Sequence, residues 1–279
     1  MQIITTHKGT DFDAAASVLA AKILHPEAVA VLPNSLNPNV RAFLSIHKDL
    51  FDLQTPDKIE LEAVMSLIIV DTNKWDRLDQ MDRLKEKENL EIILWDHHLN
   101  EGDIDATWKC MDAVGANITL LIRNLKEQNK RLTPIQATLF LAGLYEDTGN
   151  LTFPATKAED ALAAAYLLQQ GADLSVLNSF LRPAYGEGQR KILTRMLQSA
   201  QRKRLDGYQI GINKLDIIGH VNNLAVVVEM YREILNVDAA FGIFIHQKRG
   251  NIIVIGRSSA DGFDAVSYTH LRAHETAYT

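Results

Sequence analysis

Apolar positions in the first half of the chain come as short runs that end abruptly in ligand-type side chains. Gln2-Ile3-Ile4-Thr5-Thr6 runs into His7, with Asp11 and Asp13 just beyond. Ser66-Leu67-Ile68-Ile69-Val70 runs into Asp71, and Glu91-Ile92-Ile93-Leu94-Trp95 runs into Asp96-His97-His98. A short apolar run bounded by polar residues predicts a buried strand. Helical patterns lie between them: an alanine-rich body from about Asp11, a segment opened by Asn37-Pro38, and a charged segment over residues 76–88. Val29-Ala30-Val31-Leu32 reads as one more short strand. This alternation predicts an α/β fold with a mostly parallel sheet and helices on both faces. Ligands bind such sheets outside the carboxyl ends of the strands, so the three tips are expected to meet at one crevice.

Beyond residue 110 the pattern turns helical, over residues 115–129, 134–147, 157–170 and 174–181, with Thr133-Pro134 as an opening and Gly171 as a stop. Arg182-Pro183-Ala184-Tyr185-Gly186-Glu187-Gly188 interrupts it, which sets a first domain at 1–182 and a linker with a connecting helix at 183–204. A second, smaller α/β domain is predicted over 205–266, with strands at 208–212, 239–245 and 251–256 and a helix at 224–235.

Composition narrows the classes. A hydrophobic content of 47% in 279 residues is ample for a packed core, and a net charge of -6 argues against a general grip on nucleic acid or anionic membrane, while leaving room for a local basic patch. The single cysteine, Cys110, excludes an internal disulfide and suits the cytoplasm. No run approaches the roughly 20 apolar residues of a membrane span, so no membrane partner is expected.

Four carboxylates, Asp11, Asp13, Asp71 and Asp147, cannot share a crevice unaided, because close carboxylates repel until one takes up a proton. Two divalent cations would balance them. Asp11 and Asp13 taken alone are adequately explained as a helix cap and a first-turn acid. That account does less for the strand-ending Asp71 and Asp96, and for His97-His98, whose side chains are expected to point to opposite sides of an extended segment. Asp147 lies near a helix C-terminus, where the helix dipole disfavours an anion and a cation would compensate.

His7-x3-Asp11-x-Asp13, the strand-end Asp71, Asp96-His97-His98 and Glu146-Asp147-Thr148-Gly149 together resemble the four ordered motifs of the DHH phosphoesterase superfamily. The resemblance covers residues 1 to about 182; the part after about 205 is similar to the accessory DHHA1 domain through Gly256-Arg257-Ser258-Ser259. It implies that His7, Asp11 and Asp71 bind one metal ion and that Asp13, Asp71, His97 and Asp147 bind a second, with Asp71 bridging. His98 is implied to face the phosphoryl group as a catalytic residue, Asp96 to support the site from behind, and Arg257 and Ser258 to hold substrate phosphate. Manganese is the implied metal, with magnesium or cobalt as alternatives.

The expected activity is two-metal phosphoester hydrolysis of small nucleotidic substrates by a metal-bridging hydroxide: short oligonucleotides, cyclic dinucleotides or nucleotide bisphosphates. Pyrophosphate or polyphosphate hydrolysis shares the same core. A separate reading rests on Ser35 to Ser45, which resembles bacterial proteins where a DHH module precedes CBS domains and a tRNA nucleotidyltransferase or poly(A) polymerase-like domain. RNA is then an expected partner, and the module's role regulatory or proofreading. Homodimerisation is left open. Residues 267–279 resemble translated sequencing-adapter read-through and are expected to be non-native. The DHHA1 pattern is therefore expected to be truncated near residue 266, short of a glycine-rich segment ending in histidine.

Overall fold

The computed structural model describes residues 1–181, 187–217, 224–246, 251–258 and 271–272. The chain divides into two compact units, Met1–Pro183 and Ala184–Thr279. Residues 182–186 of the expected linker, Ser259, and most of the expected non-native tail lie outside the described residues.

The first unit is built on five parallel strands: β1 (Gln2–Thr5), β2 (Val29–Ala30), β3 (Ser66–Val70), β4 (Glu91–Asp96) and β5 (Trp108–Met111), in the order β2-β1-β3-β4-β5. Because all the strands run one way, their carboxyl ends lie on one edge. The chain moves from β1 outward to β2 and then back to β3 on β1's other side, and this reversal opens a crevice between β1 and β3. The order also puts the tip of β3 between the tips of β1 and β4. Asp71 thereby has His7 on one side and His97 on the other.

The period-two alternation of a strand divides these side chains between two cores. Ile4, Ile68, Val70 and Trp95 face a layer formed by α1 (Phe12–Leu24), α2 (Pro38–Ile46), α3 (Asn117–Glu127), α4 (Pro134–Thr148), α5 (Ala158–Gln169) and α6 (Leu174–Leu181). Ile3, Leu67, Ile69, Ile92 and Leu94 face the opposite layer. There the helix expected over 76–88 is instead two 3₁₀ helices, Trp75–Arg77 and Gln80–Glu86. The reason is the spacing of the buried residues Trp75, Leu78, Met81 and Leu84, which recur every three positions and align on one face at three residues per turn, but drift around an α-helix.

Two further expectations are corrected. The strand over Val29-Ala30-Val31-Leu32 keeps two residues, and Val31 makes an isolated bridge to Gln54. β5 falls in the stretch between residue 98 and residue 115 to which no element was assigned; its exposed Trp108 packs on Trp95 at 4.9 Å between ring centroids.

In the second unit a sheet ordered β10-β9-β8-β7-β6 is formed by β6 (Gln201–Leu205), β7 (Tyr208–Ile217), β8 (Ala239–His246), β9 (Asn251–Ser258) and β10 (Leu271–Arg272). Its β7–β8 pair is parallel and joined through α8 (Leu224–Leu235), which packs with α7 (Glu187–Gln198) over Leu215, Phe244 and Ile255. The connecting helix expected over 189–204 ends at Gln198. Its last part is the edge strand β6, held to β7 by the two-residue turn Asp206-Gly207, both with positive φ (48° and 93°), the geometry that closes a tight hairpin. No helix among the described residues is long and apolar enough to cross a membrane.

Candidate metal centre

The crevice gathers His7, Asp11, Asp13, Asp71, Asp96, His97, His98 and Asp147. Asp71 is the centre of the group. Its φ of 59° is left-handed, a region that aspartate tolerates better than most residues, and its N–H donates to Trp95 O at 2.9 Å. The side chain is almost fully buried. Its Oδ2 lies 3.2 Å from His7 Nε2, while its Oδ1 lies 3.4 Å from His97 Nε2. One carboxylate therefore turns its two oxygens toward two different groups of donors.

On one side His7, Asp11 and Asp71 offer donor atoms within 4.8 Å of one another; on the other, Asp13, His97 and Asp147 do so. Both imidazoles are set in one tautomer. Nδ1 of His7 lies 2.9 Å from Lys8 O and Nδ1 of His97 lies 3.2 Å from Val114 O; a carbonyl only accepts, so Nδ1 carries a proton and Nε2, turned toward the carboxylates, is the nitrogen that would bind a cation once its own proton is displaced. Asp71 Oδ1 and His97 Nε2 are buried and have no hydrogen-bond partner among the described residues, so their 3.4 Å contact is ionic. Unpartnered buried polar atoms are costly. A divalent ion coordinated by imidazole and carboxylate donors fits this set.

Helix ends position the acids. Asp11 is the N-cap of α1, with Oδ1 accepting from Ala14 N at 3.0 Å and Oδ2 3.8 Å from His7 Nε2. Asp13, fully buried, caps a helix to which it does not belong: its oxygens accept from Asn117 N (2.6 Å) and Ile118 N (2.9 Å) at the start of α3. Those donors and the α3 dipole favour its anionic form. Asp147 lies in the last turn of α4, which closes at the left-handed Gly149, and its Oδ2 is 3.4 Å from His97 Nε2.

These buried charges shift one another's proton affinities. Burial works against the Asp71 anion, but the flanking His7 and His97 prevail and hold its carboxyl at about 2. Burial, then the Asp71 and Asp11 charges, push Asp147 up to about 7. Burial, then Asp71 and Asp147, push Asp13 up as well. Burial lowers His97, yet Asp71, Asp13 and Asp147 outweigh it and push the imidazole up to about 10.

His97 and His98 do not point to opposite sides. β4 ends at Asp96, so the two histidines lie past the extended segment, and their rings pack edge to face with centroids 4.4 Å apart. Their surroundings differ all the same: the His97 side chain is 12% exposed and that of His98 41%. Nδ1 of His98 donates to Asp96 Oδ1 at 2.8 Å, which leaves Nε2 as its other ring nitrogen, while Asp96 itself is fully buried.

Arg257 and Ser258 lie in β9 of the second unit, opposite Ala240 and Ala239 of β8. Ser258 Oγ donates to Asp238 O at 3.3 Å and lines a cavity of about 230 Å³ with Leu205, Tyr208 and Ile210.

The sequence reading assigned no role to Glu146, Gly143, Gly115 or Asp160. Glu146 Oε2 accepts from Phe12 N at 2.6 Å. Asp160 is fully buried and accepts from Gly115 N (2.8 Å), Lys157 N (2.7 Å) and Thr119 Oγ1 (2.7 Å), so it holds the loop whose Val114 carbonyl orients His97. The bond from Lys157 N to Asp160 is only half of a capping box, because a lysine at the N-cap has no acceptor to return, and so the sequence carries no capping signature here.

Fold and donor set together are those of a metal-dependent phosphoesterase. The chain belongs to the DHH family: the model for the DHH family, N-terminal domain, matches residues 2–144, about half of the chain. It is 31% identical over 267 residues to an A-adding tRNA nucleotidyltransferase of Geobacter sulfurreducens, covering 95% of this chain and 30% of that protein. It is 23% identical over 225 residues to a probable manganese-dependent inorganic pyrophosphatase of Listeria innocua, covering 77% of this chain and 70% of the relative. An exopolyphosphatase-related protein from Bacteroides fragilis shares the fold, with a TM-score of 0.71 at 18% identity over 92% of this chain and 79% of that one. The chain spans about 30% of the length of the nucleotidyltransferase it matches.

Proposed function

We propose that the first unit binds two divalent cations and hydrolyses phosphoester bonds in small nucleotidic substrates, within a protein of the tRNA nucleotidyltransferase-associated kind. The carrying observation is Asp71, whose two oxygens address two separate donor groups at 3.2 and 3.4 Å. His7, Asp11 and Asp71 would hold one ion; Asp13, Asp71, His97 and Asp147 the other. Bound ions supply charge neutralisation and an activated water for in-line phosphoryl displacement. Asp96 fixes His98, whose exposed ring is available to the phosphoryl group. Arg257 suits a phosphate because its guanidinium fork matches that geometry, and it lies in the region read as a DHHA1 domain. The printed name of the Listeria relative supports manganese.

The nucleotidic reading is favoured over pyrophosphate because the nucleotidyltransferase similarity covers more of this chain, 95% against 77%, at higher identity, 31% against 23%. A panel of dinucleotides, nucleotide bisphosphates, cyclic dinucleotides and pyrophosphate, assayed with manganese, tests it. Release of mononucleotide or of nucleotide-derived phosphate is expected; phosphate from pyrophosphate alone would overturn the nucleotidic reading.

A further inference from the structure

We propose that Glu146 is a positioning residue that fixes the Asp11-Phe12-Asp13 turn relative to Asp147, and so sets the spacing between the two donor groups. The inference rests on the metal-binding reading above. Phe12 N opens α1 and is one of the N–H groups that a helix cannot satisfy internally. Glu146 Oε2 accepts from it at 2.6 Å across 134 residues of sequence. The two residues flanking Phe12 are the carboxylates Asp11 and Asp13, and the residue after Glu146 is Asp147. One hydrogen bond therefore ties three of the acidic donors into a single frame.

The packing of α4 on α1 makes this reach possible. A Cβ on Gly143 would lie 2.8 Å from Phe12 O and 2.9 Å from Asp13 Cα, so only glycine permits the approach. Gly143 and Glu146 are three residues apart, on one face of α4, and both address the Phe12 backbone: the bare Cα of Gly143 leaves room for its carbonyl, and Glu146 accepts from its N–H. Alanines fill the facing part of α1. Asp11 already caps Ala14 N, so Glu146 completes a cap that α1's own first turn leaves open.

The test compares Glu146→Gln with Glu146→Leu and Glu146→Ala in the full chain. All three lack the charge, so their differences isolate the hydrogen bond. Manganese affinity is measured by titration after chelator treatment, alongside the melting temperature of the metal-free proteins. The amide oxygen of Glu146→Gln still accepts from Phe12, and its affinity is expected to exceed those of the Leu and Ala variants by about tenfold or more, the scale on which groups that orient metal ligands act. Equal affinities in all three, with only the melting temperatures separated, would overturn the proposal and leave Glu146 a stability residue. Should Leu and Ala fail to fold, amide exchange in Glu146→Gln decides: a protected Phe12 N–H with affinity within about threefold of wild type supports the proposal, and the same protection with affinity lost overturns it. A wild-type chain that binds no manganese would reject the metal reading itself, a separate outcome.

Discussion

The imidazole of His7 and the carboxylate of Asp71, 64 residues apart in the chain, meet at 3.2 Å because β1 and β3 are parallel neighbours in register from Gln2 and Ser66. His97 reaches the other oxygen of Asp71 from β4, on the far side of β3. The strand order thus assigns Asp71 the shared position before any cation is considered.

Asp71→Ala is expected to remove both ions and Asp71→Asn at least one, as read by elemental analysis against protein concentration. The backbone contributes separately. Alanine at a φ of 59° carries about 1 kcal/mol of strain that asparagine largely avoids, so the Ala variant should be the less stable metal-free protein by denaturant titration. Two manganese ions retained in either variant would contradict the bridging role.

The two histidines should separate on substitution. His97→Ala is expected to lose one ion, because its Nε2 faces Asp71 and Asp147 at 3.4 Å each. His98→Ala should keep the metal content and slow hydrolysis, its ring being the exposed one bonded to Asp96. Metal loss in both would place His98 among the ligands.

Stability of the chelated protein should fall as pH rises from 5 to 9. Glu146 and Asp147, both pushed up to about 7, keep protons in the folded state that the unfolded chain has released above about pH 4, so this stability is lost through pH 7. His97, pushed up to about 10, contributes fully below its unfolded value of 6.5, and its contribution declines as pH climbs toward 10. Asp71, held at about 2, loses its contribution only in stronger acid and stays constant across this window. Saturating manganese displaces these protons and should flatten or reverse the slope. A melting temperature that rises with pH without metal would contradict these shifts.

Asp160→Ala removes the acceptor of three donors at a fully buried position and should cost at least about 3 kcal/mol in denaturant titration. Gly115→Ala should be destabilising too, its Cβ falling 2.7 Å from both Asp160 Oδ2 and Thr148 Cγ2. Because Val114 O holds His97, manganese affinity should fall in both. Unchanged affinity in a folded Gly115→Ala would remove this loop from the site.

Much of this architecture was legible where local signals agreed with the tertiary outcome. Thr133-Pro134 and Gly149 delimit α4 because capping box and left-handed stop are both local chemistry. The donors at the tips of β1, β3 and β4 could be read because apolar runs mark parallel strands and the polar residues after them mark their ends. The 3₁₀ segment was misread because charge content suggests an α-helix, while the three-residue apolar spacing that decides the matter is a weaker cue. β6 was hidden in a helical pattern, although Asp206-Gly207 announced its hairpin. Glu146 and Asp160 could not be assigned by spacing, since their partners lie 134 and 45 residues away and are set only by packing.

The most direct test is anomalous diffraction at the manganese edge from crystals of the wild-type chain grown with manganese. Two peaks are predicted in the first unit, one contacting His7, Asp11 and Asp71 and the other Asp13, Asp71, His97 and Asp147. No peak at this crevice, or one that leaves Asp71 uncoordinated, would contradict the account.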